Sequence, residues 1–136
     1  MTSTVQVPPQ PVVDPESKPF WEALRDGRLV WCRCAECGSW QSYPMERCRA
    51  CAGATRFVPV SGRGVIYSFV VVRQQLVPGR SVPYVMALVE LDDGERLRVP
   101  GIINAEPKQV AVGSRVQFSP RQRHDDYYPP VEFDLA

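Results

Sequence analysis

From Gly64 onward the chain reads as short apolar runs separated by turn-forming residues. "GVIYSFVVVR" (64–73), "YVMALVEL" (84–91), "RLRVPGII" (96–103), "RVQFSP" (115–120) and "PVEFDL" (130–135) are rich in Val, Ile, Phe and Tyr. Each predicts a β-strand. Asp93-Gly94 between the second and third runs signals a hairpin. Longer connections, "QQLVPGRSVP" and "NAEPKQVAVG", follow the first and third. Five such strands with a longer break between the third and fourth suit a Greek-key barrel of the OB type. Periodicity alone does not separate that from a small sandwich or an SH3-like barrel.

Upstream, the pattern changes to helical. Phe20, Trp21 and Leu24 fall on one helical face, with Asp14 or Ser17 placed to cap it, Pro15 or Pro19 tolerated in its first turn, and Gly27 placed to end it. "RLVWCRC" (28–34) alternates like a strand, and Trp40–Met45 reads as a returning strand interrupted at Pro44. Residues 1–15 are Pro-rich and aperiodic, and are expected to form a flexible leader. The expected organisation is thus leader (1–15), helix with a cysteine module (16–60), and barrel (61–136): mainly β, with one helix.

All five cysteines lie between residues 32 and 51. Cys34-Ala-Glu-Cys37-Gly38 and Cys48-Arg-Ala-Cys51 are two C-x-x-C knuckles, each able to place two thiolates on one metal. Zinc is the expected ion, with a single iron as the alternative for four tetrahedral thiolates. Four protein ligands leave no open position, so the centre is expected to be structural. Cys32 is left over on the approaching strand and reads as a small buried apolar residue. The N-terminal stretch lacks the basic start and apolar centre of a secretion signal. The expected setting is therefore a reducing cytoplasm, where clustered cysteines mean metal more often than disulfides.

The charge balance is even, sixteen basic against fifteen acidic side chains for a net +1. It gives no overall pull toward nucleic acid or an anionic membrane. No apolar run reaches the length of a membrane span.

A search for catalytic residues finds little. The single histidine, His124, stands beside Asp125 and Asp126 in "RQRHDDYYPP", but no G-x-S-x-G elbow supplies a serine. "SGRGV" (61–65) has too few glycines for a phosphate fingerprint and precedes a strand. Arginines interleave with tyrosines around the barrel, among them Arg73, Arg80 and Tyr84. Such a set can stack on single-stranded nucleic acid or hold the phosphates of a cofactor such as coenzyme A.

The order of parts, with "FWEALRDGRL", "CAECG", "CRAC" and "GRGVIYSFVVVR", resembles the family known as domain of unknown function 35. Its members are acyl-CoA-associated OB-fold proteins with a rubredoxin-like zinc ribbon. The resemblance spans about residues 16–135. It departs at "CRACAG", where a proline after the first cysteine and a glycine after the second are usual, and at Cys32. It implies a non-catalytic accessory subunit of a thiolase-like enzyme, including retro-aldolases that shorten steroid side chains, in a hetero-oligomer, sometimes with a hot-dog-fold hydratase. By position, Cys34, Cys37, Cys48 and Cys51 would hold zinc, and Phe20, Trp21 and Leu24 would meet the partner. Arg73, Arg80 and Tyr84 are the expected acyl-CoA contacts, and loops 73–83 and 121–130 the expected contact loops. The competing expectation is a nucleic-acid-binding module.

Overall fold

The computed structural model describes residues 9–136, so the first part of the expected leader lies outside the described residues. The elements run α1 (Lys18–Arg25), β1 (Val30–Cys34), β2 (Thr55–Pro59), β3 (Arg63–Val72), β4 (Tyr84–Leu91), β5 (Arg98–Ile103), a 3-10 turn (Pro107–Gln109), β6 (Arg115–Phe118) and β7 (Glu132–Leu135).

Helix α1 begins where expected. The Asp14 carboxylate accepts from the Ser17 N–H at 2.8 Å and the Asp14 carbonyl from the Lys18 N–H at 2.9 Å. The first turn is thus satisfied from Asp14, and Ser17 makes no side-chain cap to the helix. At the other end Gly27 has φ +81°, the left-handed region glycine enters without penalty. Gly27 N–H donates to Leu24 O and Arg28 N–H to Ala23 O, the paired bonds of a Schellman stop.

Strand β1 finds its partner in β2, antiparallel over its whole length from Val30↔Pro59 to Cys34↔Thr55. The expected returning strand at Trp40–Met45 does not form. Trp40 makes one isolated bridge to Arg33, Gln41 N–H donates to Cys32 O, and the chain then bends away at Pro44, which has no N–H for a ladder. The partner of β1 is instead "TRFVP", a strand that the local pattern does not announce.

The remaining five strands close into a barrel in the order β3-β4-β5-β7-β6, with β6 returning to β3. All pairs are antiparallel except β5 with β7. This is the OB arrangement. β3 can pair on both sides because a bulge between Ile66 and Ser68 bends it. β4 alternates strictly, with Val85, Ala87, Val89 and Leu91 buried inward, and Phe133 of β7 is fully buried at the centre. The hairpin at Asp93-Gly94 is wider than two residues: Leu91 N–H donates to Leu97 O, leaving Asp92–Arg96 as the loop. Gly94 lies against the Trp40 indole, where a Cβ has no room.

One core runs through both halves. Phe20, Leu24 and Trp31 join Val85, Val99 and Phe133 in the same buried cluster. Phe20 meets Trp31 edge-on at 5.5 Å and Trp21 edge-on at 4.9 Å.

Candidate metal centre and adjoining clefts

The two knuckles bring Cys34, Cys37, Cys48 and Cys51 together, all four sulfurs within 4.8 Å of one another. Cys34 Sγ lies 3.5 Å from Cys51 Sγ, and Cys37 Sγ 3.6 Å from Cys48 Sγ. Four sulfurs about 2.3 Å from a tetrahedral metal stand about 3.8 Å apart, so the donor set fits such an ion. The backbone is arranged for thiolates. Glu36 and Cys37 N–H point at Cys34 Sγ, Ala50 N–H at Cys48 Sγ and Gly53 N–H at Cys51 Sγ, all at 3.3–3.4 Å. Gly38, at φ +77°, turns the chain after the first knuckle.

The four thiols cannot all ionise against one another. The Ser39 hydroxyl and backbone hold Cys37 down at about 6. At Cys51 the Gly53 N–H favours the thiolate, but the neighbouring cysteines outweigh it and push the thiol up to about 12. A divalent cation held by Cys34, Cys37, Cys48 and Cys51 would remove that repulsion and keep all four as thiolates. Cys32 is buried outside this set, its Sγ 3.7 Å from Met45 O.

Gln41 is a supporting residue that no spacing motif announced. It is buried, donates through Nε2 to Cys48 Sγ at 3.4 Å and to Ser39 O at 3.1 Å, and accepts the Arg49 N–H at 3.2 Å. Its carbonyl accepts the Trp31 indole N–H at 2.7 Å. The second knuckle is thereby tied to β1.

Two clefts, each of about 700 Å³, share lining residues at one end of the barrel, one against the helix and the other among the barrel loops. The apolar one is lined by Trp21, Trp31, Val77, Met86, Ile102 and Val131 among others. The more polar one is lined by Arg121, Arg123, His124, Tyr127, Tyr128 and Glu132 among others. Arg80 and Tyr84 line both, with the Arg80 guanidinium 5.2 Å over the Tyr84 ring. Glu132 is buried and paired with Arg121 at 2.8 Å.

The helix is stapled to this loop region. Tyr128 donates its hydroxyl to Glu22 Oε1 at 2.9 Å, Arg25 pairs with Glu22 Oε2 at 2.6 Å, and the Arg25 guanidinium lies 4.5 Å over the Tyr128 ring. The Tyr128 hydroxyl, then Arg25, hold the Glu22 carboxyl below its ordinary value. The same bond raises Tyr128. Gln10 adds a second tie, its amide accepting the Tyr128 N–H at 2.6 Å and donating to Tyr128 O at 3.3 Å.

Comparison with known proteins agrees with this geometry. The family description "ChsH2, rubredoxin-like zinc ribbon domain" matches residues 21–58, and "ChsH2, C-terminal OB-fold domain" matches residues 57–119. A DUF35 domain-containing scaffold protein of Methanocaldococcus jannaschii is 31% identical over 103 residues, covering 72% of this chain and 71% of that protein. The chain belongs to the DUF35 family. A 3-oxo-4,17-pregnadiene-20-carboxyl-CoA hydratase alpha subunit of Mycobacterium tuberculosis is 37% identical over 99 residues, and a probable enoyl-CoA hydratase alpha subunit of Thermomonospora curvata 33% identical over 109. These matches cover 72% and 79% of this DUF35 chain but only 31% and 34% of those proteins, so the chain spans about a third of their length. A solved structure titled "Ltp2-ChsH2(DUF35) aldolase" superposes with TM-score 0.82 at 27% identity, covering 93% of this chain and 98% of that one.

The residues singled out in this DUF35 sequence separate clearly. The four knuckle cysteines converge. Phe20 and Leu24 are used by the chain's own core, which leaves Trp21 as the member of that trio with surface to offer. Arg80 and Tyr84 face the clefts, whereas Arg73 is exposed and lines neither. His124 is exposed and stacked 4.0 Å from Tyr127, with its Nδ1 accepting the Asp126 N–H. No helix among the described residues is long and apolar enough to cross a membrane.

Proposed function

We propose that this chain is a non-catalytic accessory subunit of an enzyme acting on acyl-CoA, with a thiolase-fold retro-aldolase as the partner. The observation that carries the reading is the pair of adjoining clefts. An acyl thioester of coenzyme A has an apolar acyl arm and an anionic, aromatic nucleotide end. The apolar cleft beside Trp21 and Met86 suits the first, and the arginine- and tyrosine-lined cleft suits the second. The similarity to a chain from an aldolase of two named components, and to hydratase alpha subunits, supports the same reading.

Zinc is the proposed ion. Held by four thiolates, it supplies no Lewis-acid chemistry and stabilises the ribbon. The ribbon and helix position Trp21 toward the enzyme, and Arg80 and Tyr84 hold the substrate. Their contribution to rate is orientation and the exclusion of water at a site whose reacting groups belong to the partner. A hot-dog-fold hydratase is a further component of such an assembly.

Affinity capture of the tagged chain from its source lysate, with identification of what is retained, tests this. A thiolase-fold or hydratase subunit in fixed ratio is the expected outcome. A chain that returns alone, or with nucleic acid, overturns the reading.

A further inference from the structure

Strand β3 is paired on one side only over most of its length. Arg63–Val65 lie between β4 and β6. Ile66 still exchanges bonds with the turn before β6, donating to Ser114 O at 3.0 Å and accepting from Gly113 N–H at 2.8 Å. From Ser68 to Val72 the register continues with β4 alone. Among the described residues, no backbone group on the far edge of 67–72 has a hydrogen-bond partner.

Such an edge templates the addition of another strand, and proteins ordinarily blunt it with a charge, a proline or a covering element. This one reads Tyr-Ser-Phe-Val-Val-Val, with neither charge nor proline. The surface beside it is apolar too. In the registered rows, Val72 lies across from Tyr84 and Val70 from Met86, on the face of β4 opposite its buried Val85 and Ala87. Tyr67 is 47% exposed, Val70 61%, and Leu76 in the following loop 69%.

Charge decides the occupant. From Gly64 to Val89 the chain has no acidic residue, and Arg73 and Arg80 are its only charges. Two copies joined edge to edge would run antiparallel and set Arg73 of each near Tyr67 of the other, where no carboxylate from the same span meets it, which disfavours a self-pair. We propose that the free edge of β3 takes up an extended segment of another protein, apolar along its length and acidic at the end that meets Arg73, added as a strand. The accessory-subunit reading enters only as the identity of the protein that supplies the segment. The added strand would bond main chain to main chain, seat alternate side chains on Val70 and Val72, and meet Arg73 with its acidic end.

The probe is a blocked synthetic peptide of alternating Val and Thr flanked by aspartates, added to the full metal-loaded chain. At nine-tenths occupancy the edge amides of 67–72 should exchange about tenfold more slowly. Methylating alternate peptide nitrogens should abolish the effect. Val70→Glu, at an exposed position that leaves the melting temperature unchanged, should abolish it as well. The inference is overturned if the peptide leaves these amides unprotected, or if the methylated peptide protects equally. It is also overturned if the edge is already protected in the chain alone, either at high concentration only (a second copy) or until residues 1–8 are deleted (the chain's own leader). Because no enzyme is in the assay, failure here leaves the capture result standing, and failure of the capture leaves this one standing.

Discussion

Phe20 tests whether the helix serves the fold or only a partner. Its side chain is 6% exposed and meets two indoles edge-on, Trp21 at 4.9 Å and Trp31 at 5.5 Å. Phe20→Ala removes that ring from a shared core, at a cost of about 3–5 kcal/mol for buried Phe→Ala. Losing two aromatic contacts, each worth about 0.5–1.5 kcal/mol within that total, places it near about 4 kcal/mol. At about 2.1 cal/mol/K per residue, a chain of 136 residues has an unfolding entropy of about 290 cal/mol/K, so the midpoint should fall by about 14 °C. The assay is a thermal melt of the metal-loaded chain in the absence of any partner. A fall of less than about 3 °C, on the same scale, would refute the claim that helix and barrel share one core. Trp21→Ala should cost much less stability and should weaken partner capture instead.

Four further outcomes follow from the structure. Metal analysis should give one ion per chain, abolished by Cys34→Ser or Cys48→Ser and retained in Cys32→Ser, since Cys32 lies outside the sulfur cluster. Acidification should release the ion as protons compete for the four thiolates, read with a colorimetric chelator, and the released chain should melt lower. Tyr128→Phe should lower the melting temperature most at neutral pH. Glu22 is depressed in the fold, so its share is present above the ordinary carboxylate value and lost as pH falls through the folded one. Tyr128 is raised, so its share is present below the ordinary tyrosine value and lost as pH rises through the folded one. The variant's deficit should therefore shrink at both extremes; a deficit constant with pH would contradict the staple. Arg80→Ala should weaken acyl-CoA binding by the assembled enzyme about tenfold, the effect fading with added salt, while Arg73→Ala should not.

The parts that were legible in the sequence are those governed by strict local rules. Two C-x-x-C knuckles mark the four cysteines that converge, because each tight turn places its own two sulfurs side by side. The β4 run declared itself by its composition and by the Asp93-Gly94 turn that follows it, since its outward Tyr84, Met86 and Leu88 are apolar as well and leave no alternation to read. What escaped reading depends on non-local partners. "TRFVP" is short and half-buried, and nothing local distinguishes it from a loop until β1 is laid beside it. Trp40–Met45 has the composition of a strand, yet Pro44 and the metal turns leave it nowhere to pair. Phe20 and Leu24 share a helical face that a partner or this chain's own barrel can bury equally well. Only the fold shows which does. Gln41 carries no motif, because its value lies in reaching Cys48 from a different turn.

The most direct test of the central claim is reconstitution of the captured enzyme subunit with and without this chain, following acyl-CoA cleavage. The account predicts no turnover by this chain alone, low turnover by the partner alone, and restored turnover when the two are combined with the metal in place. Cleavage by this chain on its own, or a partner equally active without it, would contradict the account.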